Sequence, residues 1–436
     1  MSPENRQEWK RLLLFVAVFA AFYFLPVGNA RFDGAVDESL ALARDYAREH
    51  VVLCLVPAFW IAGAIAAFVS QAAVIRYLGP KANRVLAYGV ASVSGTLLAV
   101  CSCTVLPLVA GIYRMGAGLG AASAFLYSGP AINVLAIVLT AKILGLELGL
   151  ARAIAAVVFS VVLGLLMAGL FRREQQQRHA AMVNQPEPEA TRPLWQTAAF
   201  FAAMVSVLVF ANWANPRQPV GFFAAVFVQK WRLTAAAALL LAVIAWRWLG
   251  LDGRRLAIGV VAVVVCVAVW PQHHELAMLV GVAGLTFATA GRPGEAGEWF
   301  AQTWTYSKLI LPLLAAGVLA AGFLLGRPGH EALIPNEWIA AAVGGDSLRA
   351  TFFAALSGAL MYFATLTEVP ILQGLIGSGM GKGPALALLL AGPALSLPSM
   401  IVLASILGWK KTLTFASLVV LLATITGWLF VMVAAS

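Results

Sequence analysis

Glu368 is the only carboxylate between Asp346 and the C-terminus, and it sits in Thr367-Glu368-Val369-Pro370 between two apolar runs. An ionised acid at membrane depth costs roughly 2.5–3.5 kcal/mol on insertion scales, so such residues mark function more often than packing. The chemistry on offer is reversible protonation; the plainer reading is a carboxyl at a loop end near the interface. Cys101-Ser102-Cys103 is the second candidate. In extended or broken backbone, residues i and i+2 project to one side, which presents two sulfurs to one ion. Soft thiolates select thiophilic species, hence trivalent arsenicals, Hg or Cu(I) rather than Na⁺ or sugars. The competing reading is two small residues that let helices approach closely. Asn133, in Ser128-Gly-Pro-Ala-Ile-Asn133, offers both a donor and an acceptor, to a solute or to a neighbouring helix.

These residues lie in a chain that is 61% hydrophobic and only 11% charged, with mean hydropathy +0.89. A soluble globule carries about 25% charged residues, so the composition predicts an all-α polytopic membrane protein in contact with the lipid bilayer. Thirteen apolar runs approach spanning length, from 11–28 and 51–70 to 383–407 and 412–434, with shorter runs at 104–113 and 368–376. The net charge of +10 does not indicate nucleic acid, because Lys and Arg sit in short loops, as the excess of cationic residues on cytoplasmic loops requires. The first run has Lys10 and Arg11 before it and Gly28-Asn29-Ala30 behind it. We expect an uncleaved helix there, with a signal peptide as the alternative. Cys54 and Cys266 read as packing residues, Arg114 and Lys142 as interfacial anchors, and His273-His274-Glu275 as a solvated turn. No cofactor is expected. No P-loop occurs, so ATP coupling would need a partner subunit.

The chain repeats itself at an offset of 263 residues. From Ser94/Ser357 to Gly145/Gly408 the register needs no gap and holds 19 identities in 52 columns. The shared positions include Pro107/Pro370, Gly116/Gly379, Gly129/Gly392 and Pro130/Pro393. Gly and Pro in register mark places where the backbone must do something particular, and paired interruptions in two halves of a hydrophobic chain point to a transporter's binding site. We expect all six of Pro107, Gly129, Pro130, Pro370, Gly392 and Pro393 to break helices.

Charge fixes an expected topology. Residues 29–50 carry three basic and five acidic side chains, whereas Arg76, Lys81 and Arg84 share their loop with no acid; the first loop is placed outside and the second inside. Arg172-Arg173, the cluster Arg247, Arg254 and Arg255, and Lys410-Lys411 are likewise placed inside. These placements agree if 104–113 and 368–376 each carry the chain across, which makes the halves an inverted repeat whose broken helices meet at the midplane. Re-entrant hairpins from opposite sides would look similar. The expected organisation is an N-terminal helix and external segment (1–50), a first repeat (51–171), a polar flexible linker (172–193), four connecting helices (194–305) and a second repeat (306–436).

Irregular backbone at membrane depth must face protein or a watery cavity. The interruptions therefore predict one cavity for a small-molecule or ion substrate. Its expected lining is Cys101, Ser102, Cys103, Thr104, Ser128 and Asn133 from the first half, with Thr365, Thr367, Glu368, Ser396 and Ser399 from the second. Glu368 is assigned proton coupling, and Cys101 and Cys103 are the candidate metal ligands.

At Cys101-Ser-Cys-Thr-Val-Leu-Pro-Leu108, Gly111, Gly116 and Ser128-Gly-Pro-Ala-Ile-Asn133, with Thr367-Glu-Val-Pro370 and Gly392-Pro-Ala394 in the second half, the chain resembles the ArsP-type permeases, many of them described only as predicted permeases. The resemblance covers about 50–171 and 300–436, and Cys101, Cys103 and Asn133 match its motifs. It implies a multi-pass permease of the bacterial inner membrane, and its best-known members export trivalent organoarsenicals. A secondary permease is thus the leading expectation, and a homo-oligomer is compatible with it. Two competitors are a membrane thiol oxidoreductase using Cys101 and Cys103, and a structural subunit of a larger complex.

Overall fold

The computed structural model describes residues 9, 12–13, 15–16, 19–20, 22–69, 78–79, 83, 87–89, 91–92, 102–132, 134–183, 193–213, 221–327, 330–361, 368–377 and 379–434. Over these the chain is helical, with isolated bridges of Gly344 and Gly345 to Met380 and no strand. The protein is therefore all-α. Five helices among the described residues are long and apolar enough to cross a membrane: Ala30–Phe68, Leu146–Leu170, Phe222–Leu249, Glu295–Leu325 and Trp409–Val433.

Helix α1 (Ala30–Phe68) begins as an amphipathic helix. Asn29 caps it by accepting from Arg31 N at 3.0 Å, and Ala35, Ser39, Leu42 and Tyr46 make a buried stripe at helical spacing. Over Ala47–Leu55 the winding widens to a π-helix, then the helix turns wholly apolar. The expected border at residue 50 thus lies within one helix. In the first half follow α2 (Ser102–Arg114), α3 (Leu119–Ala131), α4 (Val134–Ile143) and α5 (Leu146–Leu170).

Residues 172–193, expected to be a flexible linker, open with α6 (Arg172–Val183). Its side chains hold it in place. Gln175 Oε1 accepts from Leu119 N at 2.9 Å, Arg178 donates to Tyr113 O, and Lys411 reaches Glu174 from the other half. The four connecting helices are α7 (Leu194–Ala211), α8 (Phe222–Leu249), α9 (Gly253–Val269) and α10 (His274–Thr289). His273 stands at the N-cap position of α10 and His274 opens the helix, its ring centre 4.1 Å from that of Trp231 and tilted by 31°, so His274 is helical rather than part of a turn. Helix α11 (Glu295–Leu325) runs through the expected border at 305. The second half continues with α12 (Asn336–Val343), α13 (Leu348–Leu360), α14 (Glu368–Gly377), α15 (Lys382–Ala391), α16 (Leu397–Leu407) and α17 (Trp409–Ala434).

The 263-residue offset is a structural duplication. A Cβ added to Gly120 would lie 2.7 Å from Gly164 O, and one added to Gly383 would lie 2.8 Å from Gly427 O. The further neighbours of these glycines are Tyr88, Ala124 and Ala168 in the first half and Thr351, Ala387 and Val431 in the second. Each of the second set is the first plus 263. Both crossings, α3 on α5 and α15 on α17, are therefore one backbone-to-backbone contact made twice, and only glycine fits there. The turns agree as well. Gly116 and Gly379 take φ +104° and +103°, and the bonds Ala117 N to Ile112 O and Met380 N to Leu375 O are both 3.0 Å. Contacts between halves are reciprocal, α2 packing on α16 and α14 on α4.

The expected breaks divide. Pro107 lies inside α2 and Pro130 inside α3. Pro107 removes a single bond, and α3 ends one residue after Pro130. Pro370 lies inside α14. Gly392 and Pro393 do interrupt, because α15 ends at Ala391 and α16 starts only at Leu397. Gly129, inside α3, does not.

Candidate functional site

Where the halves meet, α5 and α14 bring one cation and one anion together in the core. Gly149 allows α5 to lie directly on α4, since a Cβ there would stand 2.7 Å from Ala141 Cα. That approach sets Arg152 against Thr140. Arg152 Nη1 donates to Thr140 Oγ1 at 2.9 Å, while Thr140 donates its own proton to Ala136 O at 2.7 Å. The other arm of the guanidinium, Nη2, points to Glu368 Oε2 at 3.5 Å. Arg152 and Glu368 are 1% and 0% exposed at the side chain. Glu368 is the first described residue of α14.

The pair is incompletely satisfied. A structural Arg–carboxylate bridge is usually a bidentate fork with short bonds. This contact is single and long, and among the described residues neither Glu368 Oε1 nor Arg152 Nε has a hydrogen-bond partner. Buried polar atoms are nearly always bonded, so such orphans call for a solute, a proton or a water. Tyr127, fully buried on α3 and within electrostatic reach of both charges, spends its hydroxyl elsewhere, on Leu390 O at 3.0 Å.

The duplication isolates what is special here. By the 263 offset the counterparts of Glu368, Arg152 and Thr140 are Val105, Phe415 and Leu403, all buried. One copy of the site is ionic and the other is apolar. The fold therefore accepts hydrocarbon at these positions, and the charges in the other copy are not a demand of the architecture.

Of the expected lining, Glu368 is buried. Ser128 is also buried, but its hydroxyl donates to Ala91 O at 3.0 Å. Ser396 and Ser399 form a reciprocal capping box at the start of α16. Their hydroxyls serve the backbone that the interruption leaves unpaired. Cys103 and Thr104 lie in α2, while Cys101, Asn133, Thr365 and Thr367 lie outside the described residues. No group of three metal-binding side chains occurs among the described residues. Arg114, taken as an anchor, is exposed with its guanidinium 5.0 Å from the Tyr306 ring centre. Sequence reasoning missed Arg152. Its signal was present, since it is the lone charge in the apolar run 150–171.

Comparison with known proteins bears on the same residues. A family model described as "Predicted permease", of the ArsP type, matches residues 38–432, which takes in both halves, the pair and the four connecting helices. The chain belongs to this family. The match is wider than the two halves that carry the motif resemblance. This permease is 39% identical over 386 residues to the UPF0718 protein MJ0584 of Methanocaldococcus jannaschii, covering 88% of this chain and 93% of that one. It is 34% identical over 114 residues to the UPF0718 protein YraQ of Escherichia coli K12, covering 25% of this chain and 30% of that one. No solved structure matches.

Proposed function

We propose that this permease is a secondary transporter of the inner membrane that exports a small thiophilic solute, such as a trivalent organoarsenical, in exchange for protons at the Arg152–Glu368 pair. The observation that carries this reading is a fully buried ion pair supplied one member by each half, with an unoccupied oxygen on the acid and an unoccupied nitrogen on the base. Such a pair has two stable conditions. With Glu368 ionised, Arg152 neutralises it and the halves are held together. With Glu368 protonated, or with a solute on Arg152, the attraction is lost and the interface is free to open. Movement of one half against the other around a fixed site is how duplicated transporters alternate access. An inverted sense of the repeat fits the alternation of basic loops and the reciprocal packing of α2 on α16 and α14 on α4.

The thiophilic choice rests on Cys101 and Cys103, which precede and open α2. Thiolate ligands discriminate strongly in favour of soft ions. The test uses everted membrane vesicles offered a methylated trivalent arsenical, Hg(II) and Cu(I). The wild type takes up at least one of them, Cys101→Ser/Cys103→Ser loses that uptake, and Glu368→Gln loses its dependence on the proton gradient. Undiminished, still pH-dependent uptake by Glu368→Gln overturns the coupling role. Undiminished uptake by the double serine variant overturns the thiophilic site.

A further inference from the structure

Away from the ion pair, helices α8, α9 and α10 surround a groove of about 360 Å³ floored by α1 and α7. Its walls are helix faces of Ala, Val, Leu and Gly, among them Ala238 and Ala245 of α8, Leu256 and Val267 of α9 and Leu285 of α10, with Trp60 beneath. Among the described residues no charged side chain lines it. The wall of α9 runs from Leu256 to Val267, eleven residues and so about 16 Å at 1.5 Å per residue. That is close to half of a hydrocarbon core of about 30 Å. The groove therefore has the depth of one leaflet.

The Leu256 end is strongly basic. Arg254 and Arg255 stand just before Leu256, Arg247 just after Ala245 and Arg292 just beyond α10, against the single acid Asp252 among them. Arg255 donates to Phe287 O at 3.1 Å, and Arg292 lies 3.2 Å from Asp252 Oδ2. Arg247 and Arg254 are exposed. The next acids along, Glu295 and Glu298, open α11, and Glu298 already accepts from Gln302. At the far end the balance is smaller, Lys230 and Arg232 against Glu275. Apolar surface one leaflet deep with cations at one mouth matches one molecule, a lipid with an anionic headgroup, because basic pockets between spanning helices hold lipid phosphates.

We propose that this groove seats an acyl chain of an anionic phospholipid whose phosphate is held by Arg247 and Arg254. The site is independent of the ion pair and of the transport reading. The test uses the purified full-length protein in detergent, titrated with phosphatidylglycerol, with phosphatidylcholine of the same chains, and with inorganic phosphate. Ligands that bind the folded state raise its melting temperature with concentration. Phosphatidylglycerol should give a saturable rise, phosphatidylcholine a much weaker one and phosphate none. Arg247→Gln/Arg254→Gln should weaken phosphatidylglycerol by about 30-fold, at about fivefold for each arginine near a lipid surface, with the lipid-free melting temperature unchanged. Ala242→Phe, which fills the groove, should abolish the rise. Native mass spectrometry of the wild type and the arginine variant reads the same binding if the phenylalanine variant does not fold. Equal effects of the two lipids, reproduction of the shift by phosphate alone, or full phosphatidylglycerol binding by the arginine variant would each overturn the proposal.

Discussion

The Tyr127 hydroxyl donates to the backbone oxygen of Leu390 at 3.0 Å, and the two residues are 263 positions apart. Tyr127 thus meets its own counterpart. The bond therefore lies on the seam between the two repeated halves. The Arg152–Glu368 pair lies within electrostatic reach of the same tyrosine. The charges therefore lie near the same seam.

Removing one member of the pair should be far worse for the fold than removing both. A buried charge stripped of its partner costs about 3–5 kcal/mol, whereas apolar replacement of a whole pair is often neutral. Arg152→Phe/Glu368→Val writes the residues of the apolar copy, Phe415 and Val105, into the ionic one. Denaturation should show Glu368→Val alone strongly destabilised and the double variant close to wild type. A double variant as unstable as the sum of the singles would sink this reading.

The duplicated glycine crossings should be equally intolerant. Gly120→Ala and Gly383→Ala each place a Cβ under 3 Å from a backbone oxygen of the partner helix, and overpacking of this kind costs about 1–3 kcal/mol. Thermal melts of the two variants should fall together. Wild-type stability in either would show that the crossing relaxes easily.

Much of this was legible in the sequence. The offset of 263 could be read because Gly and Pro in register stand out in a hydrophobic chain, and Glu368 drew notice as a lone acid. Pro107 and Pro370 both lie inside helices, since proline's fixed φ is compatible with helical backbone and its ring removes a single bond. Ser128, Ser396 and Ser399 were read as lining, but hydroxyls buried beside interrupted helices satisfy backbone groups first. Arg152 was hidden by its surroundings. A single arginine three residues into an apolar run resembles an interfacial anchor until Gly149 and Thr140 are seen to fold it inward.

Helix α6 was also illegible, because Arg172–Val183 has no apolar face and reads as a linker. Its order comes from Gln175 on Leu119 N, Arg178 on Tyr113 O and Lys411 on Glu174. Gln175→Ala with Lys411→Ala should raise amide exchange across 172–183 by at least tenfold, a loss of about 1.4 kcal/mol of local stability. Unchanged protection would show that other contacts hold the helix.

On the side expected to face outward, Arg327 ties the loop after α11 to α1. Its Nε and Nη2 grip Glu38 at 2.8 and 3.0 Å, and Nη1 reaches Asp45 at 3.0 Å. The hydrogen bonds from Arg327 hold the Glu38 carboxyl below its ordinary value of 4.5, and Asp45 is lowered for the same reason. A lowered folded-state value means that the stabilisation is fully present above about pH 4.5 and is lost as pH falls further. Arg327→Ala should cost about 1 kcal/mol at pH 7 and flatten the acid limb of the stability profile below pH 4.5. An unchanged acid limb would assign that loss to other carboxylates.

The most direct test of the transport site is uptake of a methylated trivalent arsenical by everted vesicles carrying equal amounts of the wild type or Arg152→Phe/Glu368→Val. The ion pair as the coupling site predicts gradient-dependent uptake by the wild type and none by the folded double variant. Equal uptake by the two would contradict it.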